Sequence, residues 1–255
     1  MPATAGIVLL NYNLPGETDA LVERLLRIVE FPTEIVVFDN ASDRSAPSGY
    51  TNAFAQVNVR TGGGNLVGAH LLAARHPEVA YFFFLHNDMR FDEDHCPITP
   101  LVEALERNPA AAAVHPAIRS GVPLGDGFLA RHAPSGTREV PRNERGRIVM
   151  DDICPVLVRK ADYFDVGGFD PRLTRCYGAG LDLYNRLAER GRDVLICDDV
   201  EVFHQGQYTY SRSVGDETYA SCDLEATREM DFVFTEKYGA GWRAEFARDP
   251  ALVAV

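Results

Sequence analysis

No stretch of this chain is apolar for anything near the roughly 20 residues that a membrane-spanning helix needs. The run Tyr81–Leu85 stops at His86, and the N-terminal run stops at Asn11 with no basic region ahead of it, so neither a membrane span nor a secretory signal is expected. Positive charge is in deficit. Lys and Arg number 25 against 37 Asp and Glu, a net charge of -12, and such a surface repels phosphate backbones, which excludes a sequence-independent grip on nucleic acid. Any anionic substrate must be met locally, by a metal ion or by a few placed cationic side chains. The five cysteines, at 96, 154, 176, 197 and 222, include no C-x-x-C pair and are odd in number. That pattern excludes a zinc ribbon and a disulfide framework, and it reads as reduced thiols in a cytoplasmic protein. There are no internal repeats and no low-complexity tract.

What is present is the composition of a folded domain. The 255 residues are 46% hydrophobic and 24% charged, enough for one large domain or two small ones with a real core. Apolar β-rich runs predict strands at 6–12, 33–40, 79–88 and 111–119, with a weaker one at 55–60. Helical spacing predicts a helix over 16–31, with Leu21, Leu25 and Ile28 on one face, and another over 98–108. "TGGGNLVGAHLLAARH" (61–76) reads as a glycine loop entering a helix. Residues 120–150, rich in Gly, Pro and Arg, read as a long surface loop. Beyond it come a strand at 153–160, a short helix and Gly-Gly turn, a helix at 180–193, strand-like "VLIC" and "VEVFHQG", and a helical tail at about 216–238. Alternating strands and helices predict an α/β fold: a mostly parallel, Rossmann-like sheet flanked by helices.

Ligands of such sheets sit beyond the carboxyl ends of the strands. Three strands here end in polar groups: Asn11-Tyr12-Asn13, Asp39-Asn40 and His86-Asn87-Asp88. The abrupt switch in "YFFFLHND" has no packing purpose and marks a candidate site. A plainer reading makes Asp88 a solvated strand-end residue, Asp39 a turn cap in "DNAS", and the Gly62–Gly64 run a flexible turn.

The segments, taken in order, resemble the family 2 glycosyltransferases, which have the GT-A fold. The matching pieces are "VLLNYN", "VVFDNASD" (36–43), a loosely matched "GGGNLVGAH", "LHND", "GGFDPRL" (167–173), "DLYNRLAERG" and "VFHQG" (202–206). The resemblance implies a nucleoside-diphosphate sugar donor, a divalent metal (Mg²⁺ or Mn²⁺), and transfer with inversion to a hydroxyl of a small-molecule or lipid-linked glycan acceptor. It also implies one GT-A domain in two halves, a nucleotide-sugar-binding half, 1–119, and a C-terminal acceptor-side half that includes the C-terminal helix, 120–255. It implies that Asp39 meets the donor's base or ribose, with Tyr12, Asn13, Asn40, Gly63, Asn65, His86 and Asn87 around the donor. Asp88 and His204 would meet the metal. His86 is open between touching the metal, bonding a phosphate and only packing, and His204 has the plainer role of a half-buried core histidine.

Two departures stand out. His86 replaces the first acid of the family's D-x-D. "YGAGLDL" (177–183) has Ala179 and Gly180 where the family has an acidic pair, whose second member is the base that deprotonates the acceptor. Three acids remain as candidates for that base: Asp182, two residues on, and Asp152 and Asp151 from another segment. Asp182 has the plainer role of a first-turn acid favoured by the helix dipole, and Asp151 and Asp152 could equally bind acceptor hydroxyls or be solvated. Arg172 and Arg175 are surface arginines that could meet phosphate; Tyr208, Tyr210 and Trp242 are expected to pack. An active transferase and a nucleotide-sugar-binding protein without turnover both fit this sequence. A nucleotidyltransferase fits less well, because "NYNLPGE" is not its glycine-rich basic loop.

Overall fold

The computed structural model describes residues 4–91, 96–120, 129–204 and 219–248. Nine strands and seven helices are found among them. They are β1 (Thr4–Asn11), α1 (Pro15–Ile28), β2 (Thr33–Asp39), β3 (Ala53–Phe54), α2 (Arg60–Arg75), β4 (Val79–His86), β5 (Met89–Phe91), α3 (Ile98–Arg107) and β6 (Ala111–Ser120). Then follow β7 (Thr137–Glu139), β8 (Val156–Arg159), α4 (Lys160–Asp165), α5 (Ala179–Glu189), β9 (Asp193–His204), α6 (Tyr219–Tyr238) and α7 (Trp242–Glu245).

One mixed sheet runs in the order β3-β2-β1-β4-β8-β6-β9-β5, with β7 also on β9. Its first four strands are parallel, and their carboxyl ends meet in register, Asn11 beside Asp39 and Leu10 beside His86. β8 runs antiparallel between β4 and β6, so the sheet crosses from the first half of the chain into the second without a break. The predicted α/β architecture is what the chain adopts. Its core is aromatic. Phe82, Phe83 and Phe84 of β4 are fully buried, and Phe84 meets Phe169 edge-on at 5.1 Å while Phe82 meets Tyr163 at 5.5 Å. In α1, Pro15 starts the helix, Leu21 and Leu25 face the core, and Ile28 is half-buried.

Several local expectations change. Residues 55–60 form no strand; the third strand is only Ala53–Phe54. The glycine run is not a loop but the first turns of α2, because Gly62 packs on backbone: a Cβ there would lie 2.1 Å from the Leu173 carbonyl oxygen. Asp151 and Asp152 precede β8 in an irregular segment. "VLIC" and "VEVFH" are one strand, β9, interrupted by a three-residue bulge, since Pro116 pairs with Cys197 and Ala117 with Glu201. The loop at 120–150 holds β7 and an Arg142–Ile148 bridge; residues 121–128 of it lie outside the described residues.

Candidate active site

The carboxyl ends of β1, β2 and β4 are joined by a buried polar network. The Asn11 amide donates to Asp39 Oδ2 at 2.7 Å. Asp39 is 3% exposed and also receives the Ser42 N–H (2.9 Å) and hydroxyl (2.8 Å). The Thr18 hydroxyl lies 2.9 Å from Asn11 Oδ1 and 3.0 Å from the Leu14 carbonyl, able to donate to either, and it accepts from the Asn87 amide at 3.2 Å. A carboxylate has about four lone-pair sites, so three internal donors fix Asp39 and still leave it acceptor capacity.

The loop after β1 forms the adjacent wall. Asn13 takes the left-handed conformation (φ 57°), accepts the N–H groups of Asp43 and Arg44 at 3.0 Å each, and donates to Asp43 Oδ1 at 2.8 Å. The Tyr12 hydroxyl donates to the same oxygen at 3.3 Å. The Asn13 hydrogen bond is the main reason that Asp43 sits below the ordinary carboxylate range. Asn40 is turned the other way: its side chain accepts from Val59 N–H (2.9 Å) and donates to the Arg60 carbonyl (3.1 Å), fastening the entry to α2. The Gly62 and Gly63 N–H groups point to the Thr174 carbonyl, at 2.7 and 3.4 Å. They therefore serve helix docking. Asn65 is fully buried, donates to Cys154 Sγ at 3.6 Å, and its Oδ1 meets no partner among the described residues.

The second cluster lies at the turn between β4 and β5. The ladder sets His204 of β9 opposite Met89, one residue past Asp88. His204 Nε2 is then 3.5 Å from Asp88 Oδ2. Burial works against both charges, but each partner outweighs it for the other, so Asp88 is held below its ordinary range and His204 above its own. Asp152 adds to the pull on His204. His86 lies beside them, half-buried as a residue but with its ring turned inward. Burial chiefly, and the charge of His204, push it down to about 4 against the pull of Asp88, and its Nε2 has no partner among the described residues. Asp88 and His204 present a carboxylate and an imidazole 3.5 Å apart, a pair that a divalent cation such as Mg²⁺ or Mn²⁺ fits, with further positions for phosphate oxygens and water; the His86 donor atom does not join them within 4.8 Å. A tighter trio, Glu34, His76 and Glu78, lies at the opposite, amino-terminal end of the strands, far from this network in the sheet.

The third cluster is the start of α5. Asp182 is fully buried and does not face an open cleft. Its Oδ2 pairs with Arg186 at 2.7 Å, and its Oδ1 receives Lys237 and, at 2.7 Å, the Tyr238 hydroxyl. The expectation that Asp182 acts as a base does not fit these surroundings, because two cations and a hydroxyl already hold its charge. Asp151 caps the helix instead, its oxygens accepting Gly178 N–H (2.6 Å) and Leu181 N–H (3.0 Å). Asp151 is half-buried as a residue, but its carboxyl group is turned inward, and that burial pushes it up to about 6 against those two N–H groups. Asp152 is half-buried too, with its carbonyl taking the Tyr184 hydroxyl at 2.5 Å. Arg172 and Arg175 pair with acids on α6, Glu236 at 3.0 Å and Glu225. Trp242 packs on Phe234 at 4.9 Å. Tyr208 and Tyr210 lie outside the described residues.

Sequence reasoning did not single out Thr18, Ser42 or Tyr184. The helical pattern around "GETDAL" hides Thr18, although a threonine one turn into a helix that leaves a polar strand end is a signal that could be read.

Comparison with known proteins is in keeping with this geometry. The family model described as glycosyl transferase family 2 matches residues 7–167. No curated protein sequence matches. Among solved structures, GalNAc-T7 crystallised with UDP, GalNAc and Mn²⁺ superposes with a TM-score of 0.58 at 13% identity, over 96% of this chain and 58% of that one. The chain thus spans little more than half the length of that structure. TarS of S. aureus, residues 1–349, superposes at 0.54 and 14% identity over 96% of this chain and 75% of TarS, and its complex with UDP at 0.55 and 12% over 97% and 76%. At these identities the structures establish the fold.

Proposed function

Because the chain belongs to glycosyl transferase family 2, we propose that it is a glycosyltransferase that moves a sugar from a nucleoside-diphosphate donor to an acceptor hydroxyl with inversion, using a divalent cation. What supports this reading is one polar network across the carboxyl ends of β1, β2 and β4, which ties Asp39 to Asn11 and, through Thr18, to Asn87, the neighbour of Asp88, which itself pairs with His204. Asp39 would accept from the donor's base or ribose, with Tyr12 and Asn13 as the wall beside it. Asp88 and His204 would hold Mg²⁺ or Mn²⁺, and His86 and Asn87 would flank the diphosphate. When bound, such a cation offsets the charge that grows on a leaving diphosphate. This resolves the charge problem of a chain at -12 by a local device rather than by a basic surface. The acceptor is a small-molecule or lipid-linked glycan. All five cysteines are free and no described helix is long and apolar enough to cross a membrane, which supports a cytoplasmic setting.

The test is donor turnover over a panel of nucleoside-diphosphate sugars, UDP-sugars first, with Mg²⁺ and with Mn²⁺. Metal-dependent release of the nucleoside diphosphate is expected, and Asp88→Ala should abolish it while leaving the circular dichroism spectrum unchanged. Full activity in Asp88→Ala would refute the metal assignment. One observation favours a second reading: Ala179 and Gly180 stand where the family carries its acidic pair. Tight nucleoside-diphosphate binding with no turnover of any donor would make the chain a nucleotide-sugar-binding protein.

A further inference from the structure

A chain of buried hydrogen bonds leads from Asp39 to the residue before Asp88, and Thr18 is its joint. The Asn11 amide donates to Asp39 Oδ2 at 2.7 Å, the Thr18 hydroxyl reaches Asn11 Oδ1 at 2.9 Å, and the Asn87 amide donates to the Thr18 oxygen at 3.2 Å, with Asn11 Oδ1 at its limit, 3.5 Å. All four residues are buried, so water does not compete for these bonds, and breaking one leaves a polar group unpaired in the interior. The far end is tied through the backbone: Asn87 precedes Asp88, whose Oδ2 lies 3.5 Å from His204 Nε2. A threonine in a helix ordinarily turns its hydroxyl to the carbonyl four residues earlier. Thr18 has that bond available at Leu14, and its contacts with Asn11 and Asn87 go beyond it. Its hydroxyl has one proton and two acceptors at nearly equal distance, Asn11 Oδ1 at 2.9 Å and the Leu14 carbonyl at 3.0 Å. With the proton on Asn11, every bond points the same way, from Asn87 through Thr18 and Asn11 to the Asp39 carboxylate, and each polarises the next. With the proton on Leu14, the chain is broken at Thr18.

We propose that Thr18 is a positioning residue that couples the two halves of the donor site, so that a cation at Asp88 and a nucleoside at Asp39 each tighten the binding of the other. The inference rests on the transferase reading above. A cation on Asp88 restrains the turn that carries Asn87 and so favours the continuous arrangement, in which the Thr18 proton lies on Asn11. Asn11 is then held at both ends of its side-chain amide, and a nucleoside meets an Asp39 carboxylate already fixed in place. The element with two arrangements is the Thr18 hydroxyl, and both sites bias it. Such coupling is reciprocal: whatever factor the cation adds to the nucleoside's affinity, the nucleoside adds to the cation's.

The probe is uridine. It has no phosphate to bridge to a cation, so any effect of the cation on its binding passes through the protein. Calorimetry reads its affinity without metal, with Mg²⁺ and with Mn²⁺, for wild type, Thr18→Val and Thr18→Ser. In wild type the more effective cation should tighten uridine about fivefold or more. Thr18→Val, which keeps the volume and loses the hydroxyl, should bring that factor below about two, and Thr18→Ser should restore it. Thr18→Ala takes the place of Thr18→Val if the valine variant does not fold. A loss of stability alone would leave the factor unchanged, because it compares two measurements on one folded protein. A wild-type factor in the variant without the hydroxyl overturns the role of Thr18. A wild type that holds UDP with Mn²⁺ but whose uridine binding gains nothing from either cation overturns the coupling and leaves the transferase reading standing. A wild type that binds neither UDP nor uridine overturns both.

Discussion

His115 makes the fold acid-sensitive, by an amount that can be worked out. It sits fully buried on β6, with no hydrogen-bond partner at either ring nitrogen among the described residues, and the Tyr184 ring is its aromatic neighbour. Burial pushes it down to about 3 from 6.5; the Pro155 backbone pulls the other way and recovers little. The folded chain therefore keeps His115 neutral where the unfolded chain protonates it. The sign follows: stability from this group is fully present above pH 6.5 and is lost as pH falls toward 3. At pH 5 the unfolded state holds this proton almost completely and the folded state hardly at all, which costs about 2 kcal/mol relative to pH 7.5. Asp151 works in the opposite direction, since burial raises it to about 6 and the folded state takes up its proton on the way down. Only a difference between proteins isolates His115. His115→Phe removes the titration and keeps a ring in the site, at an overpacking cost of about 1–3 kcal/mol that is the same at both pH values. Urea denaturation of both proteins at pH 7.5 and pH 5 should show the variant gaining about 2 kcal/mol on wild type at the lower pH. An equal difference at the two pH values would refute the claim that His115 is held neutral by burial.

Asp39→Ala should weaken nucleoside-diphosphate binding by about 1–3 kcal/mol, read by calorimetry, since it removes the acceptor proposed for the donor's base or ribose and also strands the Asn11 amide. Asp182→Asn should destabilise the fold by about 3 kcal/mol in urea titrations, because Lys237 and Arg186 lose a fully buried counter-charge; a change confined to kcat would show instead that Asp182 takes part in the chemistry. Gly62→Ala should lower the melting temperature by several degrees, since its Cβ meets the Leu173 carbonyl oxygen at 2.1 Å, and a substitution tolerated without loss would mean that α2 can shift on that loop.

The strands that carry the site were legible because each one announces itself twice, as an apolar run and as a polar stop. Asp39, Asp88 and His204 could be named from order and motif, and His204 and Asp88 do meet at 3.5 Å. What stayed hidden depends on contacts between distant segments. Asp182 looks like a spare acid until Lys237 and Tyr238, more than 50 residues on, are seen to hold it. Glycine disfavours helix by about 1 kcal/mol per residue, so three in a row read as a loop. The close approach of residues 173–174 reverses that reading at Gly62, the tightest contact of the three. Likewise, nothing local says why position 180 is glycine; the reason is the carbonyl of Asp151.

The bulge in β9 sets which residue stands opposite Met89, beside Asp88. With an unbroken ladder, the pairing of Pro116 with Cys197 would carry on to put Glu201 opposite Ser120. Three extra residues, Asp198 to Val200, advance the strand so that His204 arrives there instead, with Met89 on its other side. The insertion works as a spacer that selects an imidazole over a carboxylate for one position. It is locked from outside the site, by Arg138 and Arg131 on Asp198 and by the Gly136 N–H on Asp199. Which side chain stands beside Asp88 is thus set partly by three residues of β9 that lie ahead of it and pair with nothing in the β6 ladder.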